Sequence, residues 1–148
     1  LRADALLLQE TKIARSKANF VAGSWPGSSA WACGPTSAGG TAIWLPPSSN
    51  LSRSDIPHTE AEEGRILLQP VQHNGEKIAL VSIYAPNGRQ EQRTFFSALH
   101  DFLSPIATTF DNVILCGDFN SLANPALDKV GGNQESGTFV PELQALLE

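Results

Sequence analysis

The sequence predicts a mixed α/β (α+β) domain, and three observations predict it. Short apolar runs of strand length recur from Ala5 to Cys116, bounded by polar, Gly or Pro residues. Two of these runs flank Asn74-Gly75, the dipeptide in which both residues tolerate positive φ and which therefore marks a β-hairpin. Between the hairpin and the last run lies one stretch of helical periodicity. With 148 residues the chain is long enough for one domain with its own core.

Composition narrows the class. Hydrophobic residues make up 41% and charged residues 17%, which suits a globular chain and not a disordered one. No apolar run approaches the ~20 residues that cross a bilayer, so a membrane is not an expected partner. Cys33 and Cys116 are too few for a disulfide framework or a zinc cluster. The net charge of −5 argues against broad nucleic-acid binding, while leaving room for a local basic patch. A carboxylate site that holds a cation would itself make the bare chain acidic.

The elements follow in order. Leu1-Arg2-Ala3-Asp4 reads as the end of a helix, and a chain without methionine that starts at leucine reads as an internal piece of something longer. Ala5–Leu8 is a short buried strand, and Glu10 is the first carboxylate beyond it. Phe20-Val21 and Ala30–Ala32 read as short strands around a Pro26-Gly27 turn, with Trp25 and Trp31 as packing residues. Thr41–Leu45 is a strand closed by Pro46-Pro47. Residues 48–63 read as a surface loop with one short strand. Ile66–Gln72 is the outgoing strand of the hairpin and lies at an edge or a bulge, because Pro70 cannot donate to a ladder. The return strand, Lys77–Tyr84, is apolar on both faces and therefore central. Glu91–Leu103 is a helix whose stripe is Phe95, Phe96, Leu99, Phe102 and Leu103, limited by Pro105. Val113–Cys116 reads as a strand buried on both faces, with Cys116 as a small apolar filler. Residues 121–137 are loop-like, and Pro141 opens a last helix with Leu143, Leu146 and Leu147 on one stripe.

Three of these strands hand polar side chains to their ends: Glu10, then Tyr84 with Asn87, then Asp118 with Asn120. Asp118 and Asn120 alone would suit an Asx-turn. The recurrence is what points to a site, since ligands of α/β sheets bind at strand ends. Two carboxylates brought together repel, and a divalent cation removes that cost. Mg²⁺ suits the set, because it prefers oxygen ligands and needs only one or two protein carboxylates. His58, His73 and His100 form no nucleophile arrangement, and no Gly-rich phosphate loop opens a helix. A hard cation with amides and a phenol nearby is the chemistry of a phosphate ester.

Five segments in order, Leu8–Lys12, Gly39–Ile43, Glu63–Arg65, Ser82–Asn87 and Cys116–Ser121, resemble the endonuclease/exonuclease/phosphatase superfamily. Tyr84-Ala85-Pro86-Asn87, Gly117–Asn120 and Asn124–Asp128 look most like the apurinic-endonuclease-like domain of non-LTR (LINE-type) retrotransposons. The resemblance implies a four-layer α/β sandwich with two mixed sheets, DNase I-like and here incomplete. It implies that Glu10 binds Mg²⁺, with Mn²⁺ as its substitute. Asp118 then positions or deprotonates the attacking water, Asn120 orients it, and Tyr84 hydrogen-bonds the scissile phosphate. Asn87 supports the site, and Arg65 is structural or lies near the substrate. The implied partners are double-stranded DNA and a reverse transcriptase on the same polypeptide. The family's opening Asn-bearing strand and its closing Ser-Asp-His segment do not occur in the 148 residues. The resemblance therefore also implies an internal piece that is inactive alone. A phosphomonoesterase, a sphingomyelinase-like phosphodiesterase and a non-catalytic remnant stand as alternatives.

Overall fold

A computed structural model describes residues 2–35, 39–121 and 141–147. They form β1 (Leu6–Gln9), α1 (Arg15–Gly23), β2 (Ser28–Ala32), β3 (Thr41–Leu45), β4 (Ser52–Arg53), β5 (Thr59–Ala61), β6 (Ile66–His73), β7 (Glu76–Tyr84), α2 (Arg89–Thr109), β8 (Asn112–Asp118) and α3 (Pro141–Leu147), with a 3-10 turn at Glu62–Gly64. The chain divides into two compact units, Leu1–Tyr84 with Pro105–Asp118, and Ala85–Ser104 with Phe119–Glu148.

In the first unit two sheets share a core. The smaller has the order β1-β3-β2 and is antiparallel throughout. The larger has the order β4-β6-β7-β8, with β5 also on β6; β6 and β7 are antiparallel, and β8 runs parallel to β7. Ala30, Ala32, Ile43 and Leu45 from the smaller sheet meet Leu67, Val71, Ile78 and Leu80 from the larger. The mixed α/β class, with sheets layered on one another, is the one expected.

The hairpin behaves as its sequence requires. Asn74 and Gly75 take φ of 51° and 88°, and every residue from Ile66 to His73 pairs with one from Glu76 to Ile83. Pro70 is accommodated by a gap on the outer side of β6. There β5 pairs with Ile66–Leu68 and β4 with Val71–Gln72, so no outer ladder needs the missing N–H.

Several expectations are corrected. Arg2–Asp4 is not helical. Phe20-Val21 lies in α1 and not in a strand. Arg15, Lys17, Ala18 and Ala22 are good helix formers, and the apolar residues there do not alternate. In a helix neighbouring side chains diverge, and Phe20 is left 80% exposed. Residues 48–63 hold two short strands, β4 and β5. Strand β1 is half-buried, as an edge strand can be. The Val113–Cys116 run forms β8 but is not buried on both faces: among the described residues β8 is the edge of its sheet, Val113 and Ile114 are exposed, and so is Cys116. Its apolar composition records strand propensity. Trp25 and Trp31 do pack: Trp25 meets Trp44 edge-on at 4.6 Å, and Trp31 donates its indole N–H to Ser29 at 2.9 Å.

In the second unit Phe95, Phe96 and Leu99 are buried, and Phe96 stacks on Phe119 with ring centroids 6.5 Å apart. Pro105 does not end α2, which continues to Thr109. A proline inside a helix costs about 3 kcal/mol. The Thr108 and Thr109 hydroxyls donate to the Pro105 carbonyl, both at 2.9 Å. In α3, Leu143 is buried as expected. The Asn124–Asp128 segment and the loop expected over 121–137 lie outside the described residues beyond Ser121.

Candidate active site

Strand β7 builds the site by alternation. Ile78 and Leu80 enter the core between the sheets. Two residues on, the buried Ser82 hydroxyl accepts a hydrogen bond from Gln9 Nε2 at 3.1 Å. Two further on, the Tyr84 hydroxyl donates to Glu10 Oε1 at 2.7 Å. One face of the strand thus passes from apolar to a hydroxyl to a phenol, and the residues facing it from β1 and the turn after it (Leu7, Gln9, Glu10) pass from apolar to amide to carboxylate.

Glu10 leaves β1 with φ of 51°, an uncommon conformation for a residue with a side chain, costing on the order of 1 kcal/mol. The Thr11 and Lys12 amides then donate to the Gly40 and Gly39 carbonyls at 3.2 and 2.8 Å, which fixes the turn. Lys12 Nζ sits 3.1 Å from Glu10 Oε2. The Tyr84 hydroxyl, and after it Lys12, holds the Glu10 carboxyl below the usual carboxylate range. The same bond pushes the Tyr84 phenol up, with smaller contributions from burial and from the negative charges of Glu10 and Asp118, opposed by Arg65. Glu10 and Asp118, far apart in the chain, thus act on one hydroxyl.

Arg65 braces that tyrosine. Its Nη1 donates to the Tyr84 carbonyl at 3.0 Å, its own carbonyl accepts from the Tyr84 amide at 2.8 Å, and its guanidinium lies 5.1 Å from the ring centroid. Gly64 precedes it with φ of 83°, and a Cβ there would stand 2.6 Å from the Gly34 amide nitrogen. The Thr41 hydroxyl donates to the Gly64 carbonyl at 3.2 Å, joining the Gly-Gly-Thr and Glu-Gly-Arg segments.

Asp118 ends β8 directly opposite Tyr84 in the parallel ladder. Gly117 pairs with Ile83, and its φ of 151° lets the strands approach so closely that a Cβ would collide with the Ile83 backbone. The glycine before the aspartate is therefore what holds Asp118 at the level of Tyr84.

The second unit carries the two asparagines. Asn87 is exposed in the turn before α2. Asn120, at φ of 46°, donates its side-chain amide to the Ala85 carbonyl at 2.8 Å. Its own carbonyl accepts from Gln92 Nε2 at 2.6 Å.

Among the described residues no three His, Cys, Asp or Glu side chains gather. The oxygen donors at this strand end are Glu10 and Asp118, and one or two carboxylates is the protein share of a Mg²⁺ shell. That donor chemistry suits a divalent cation, which on Glu10 would compete with Lys12. His73 contacts the Asn50 carbonyl and His100 the Asp101 carboxylate. Gln9, Lys12 and Gln92 carry structure that sequence reading did not assign. Gln92 had a signal, an amide on the stripe of Phe95, Phe96 and Leu99.

The family model described as "Endonuclease/Exonuclease/phosphatase family" matches residues 1–134. Comparison with curated proteins gives no match. Among solved structures, the chain is similar to an AP endonuclease from Archaeoglobus fulgidus, with 20% identity, a TM-score of 0.65 and coverage of 97% of this chain and 57% of that one. It is similar to the 3′ phosphatase NExo from Neisseria bound to a product DNA hairpin, with 22% identity, a TM-score of 0.61 and coverage of 84% and 49%. It is also similar to truncated TDP2 from Caenorhabditis elegans, with 18% identity, a TM-score of 0.58 and coverage of 86% and 53%. At these identities the likeness is one of fold, and the chain spans about half the length of these structures.

Proposed function

The chain belongs to the endonuclease/exonuclease/phosphatase family, whose members are hydrolases of phosphate esters that generally depend on a divalent metal, and from this we propose that the protein nicks double-stranded DNA. The reaction is hydrolysis of one phosphodiester bond to leave a 3′-hydroxyl, as in the endonuclease domain of a non-LTR (LINE-type) retrotransposon. The observation that carries the reading is the 2.7 Å bond between Tyr84 and Glu10, with Asp118 in register beside the same tyrosine.

In this reading Glu10 holds Mg²⁺, which when bound polarises a phosphoryl oxygen and stabilises the leaving oxygen. Asp118 takes the proton of the attacking water, and Asn120 orients that water. The Tyr84 phenol, whose bond to Glu10 raises its pKa, stays protonated at neutral pH, and on substrate binding its single O–H would turn from Glu10 to a phosphate oxygen. Arg65 acts through Tyr84 by fixing its ring and backbone, and Asn87 supports the substrate side. Duplex DNA and a reverse transcriptase on the same polypeptide are the partners.

Plasmid nicking by the natural protein that carries this chain tests the proposal. We expect conversion of supercoiled to open-circular DNA with Mg²⁺, loss with EDTA, and a fall of at least about 10³-fold in Asp118→Ala. Equal nicking by wild type and Asp118→Ala would overturn it. The net charge of −5 favours a second reading, a phosphomonoesterase or a sphingomyelinase-like phosphodiesterase. Faster hydrolysis of a phosphocholine headgroup than of duplex DNA would select it.

A further inference from the structure

Gln92 is fully buried in the first turns of α2, on the stripe that otherwise carries Phe95, Phe96 and Leu99. Its Nε2 donates to two carbonyls from separate stretches of chain, Pro86 at 2.9 Å and Asn120 at 2.6 Å. Asn120 reciprocates by donating its Nδ2 to the Ala85 carbonyl at 2.8 Å. Two side-chain amides therefore cross-link the Ala85-Pro86 turn to Asn120, where the backbone is held at φ of 46°.

The arrangement is poor as packing. Gln92 Oε1 is buried without a partner among the described residues. A methionine would fill similar volume without an unpaired acceptor. What the amide supplies, and no apolar side chain can, is a fixed distance between the turn after Tyr84 and the residue two places after Asp118.

We infer that Gln92 is a positioning residue that holds Asn120 where the reaction needs it, an inference resting on the role of Asn120 proposed above. Displacing a reacting or orienting group by about 1 Å costs on the order of 100-fold in rate. Gln92→Met in the natural protein should thus lower kcat about 10- to 100-fold while KM stays within about 3-fold. Because Gln92 acts through Asn120, it should have no further effect on kcat in an Asn120→Ala background. Equal losses in both backgrounds, or an unchanged kcat, would overturn the inference.

Hydrogen exchange of the Asn120 side-chain amide, read by NMR, tests the same clamp without activity. Gln92→Met should speed that exchange, and Gln92→Asn, one methylene shorter and able to reach only one carbonyl, should fall between it and wild type. Exchange unchanged in both would overturn the clamp. Should Asp118→Ala remain active, the nuclease reading fails by itself, and the exchange experiment still decides the clamp.

Discussion

Gly117→Ala should destabilise the protein far more than Gly75→Ala, and the structure says by how much. Both glycines have positive φ, 151° and 88°. Around Gly75 an added Cβ meets nothing within 4 Å, so alanine there costs only the backbone conformation, about 1–1.5 kcal/mol. At Gly117 the same atom would collide first with the Ile83 carbonyl oxygen and would also lie 2.8 Å from the Ile83 nitrogen, where ordinary contact begins near 3.4 Å. The parallel ladder must open by more than half an ångström to admit it, and overpacking of this kind adds about 1–3 kcal/mol. The sum is about 3 kcal/mol. For a chain of this size that is a fall in Tm of roughly 6–12 °C, against roughly 2–6 °C for Gly75→Ala. Thermal unfolding of the two variants of the natural protein, followed by circular dichroism, measures the difference. Equal shifts would refute the argument that close approach to Ile83 is why glycine precedes Asp118.

Tyr84→Phe removes the largest influence on Glu10, so the Glu10 carboxyl should titrate nearer the usual carboxylate range, with Lys12 still holding it somewhat below. In the wild type the contribution of Glu10 to stability is present above its unfolded pKa of about 4.3 and is lost as the pH falls through its lower folded value. The variant should show a weaker acid dependence over that window, and an NMR titration with an unmoved Glu10 midpoint would contradict this. Phe96→Ala empties a site with no exposure, between Phe95 at 5.4 Å and Phe119 at 6.5 Å, and should cost about 3–5 kcal/mol in urea unfolding. A loss below about 1 kcal/mol would show that the ring is not a core member.

Much of the site was legible because it is written in local chemistry. The Asn74-Gly75 turn, the apolar length of β7 and the polar residues after it place Tyr84 at a strand end without knowledge of the other strands. Glu10 and Asp118 follow from the same pattern. What failed was burial. Val, Ile, Leu and Cys in a row say strand, yet whether a second strand covers β8 depends on sheet order, which no local pattern states. Phe20-Val21 was misread because two adjacent apolar residues fit either period, and the helix formers around them decide. Pro105 was given too much weight, since α2 runs on past it to Thr109. Gln92 escaped notice because an amide on an apolar stripe looks like noise until its two carbonyl partners are seen.

The graded face of β7 makes insertions and deletions matter by parity. Removing one residue between Glu76 and Tyr84 would exchange odd and even positions ahead of the phenol, pointing it away from Glu10. Removing two would shorten the strand yet keep the phenol on its proper side. Tolerance to length change in this strand should therefore alternate, with even changes losing reach and odd ones losing chemistry.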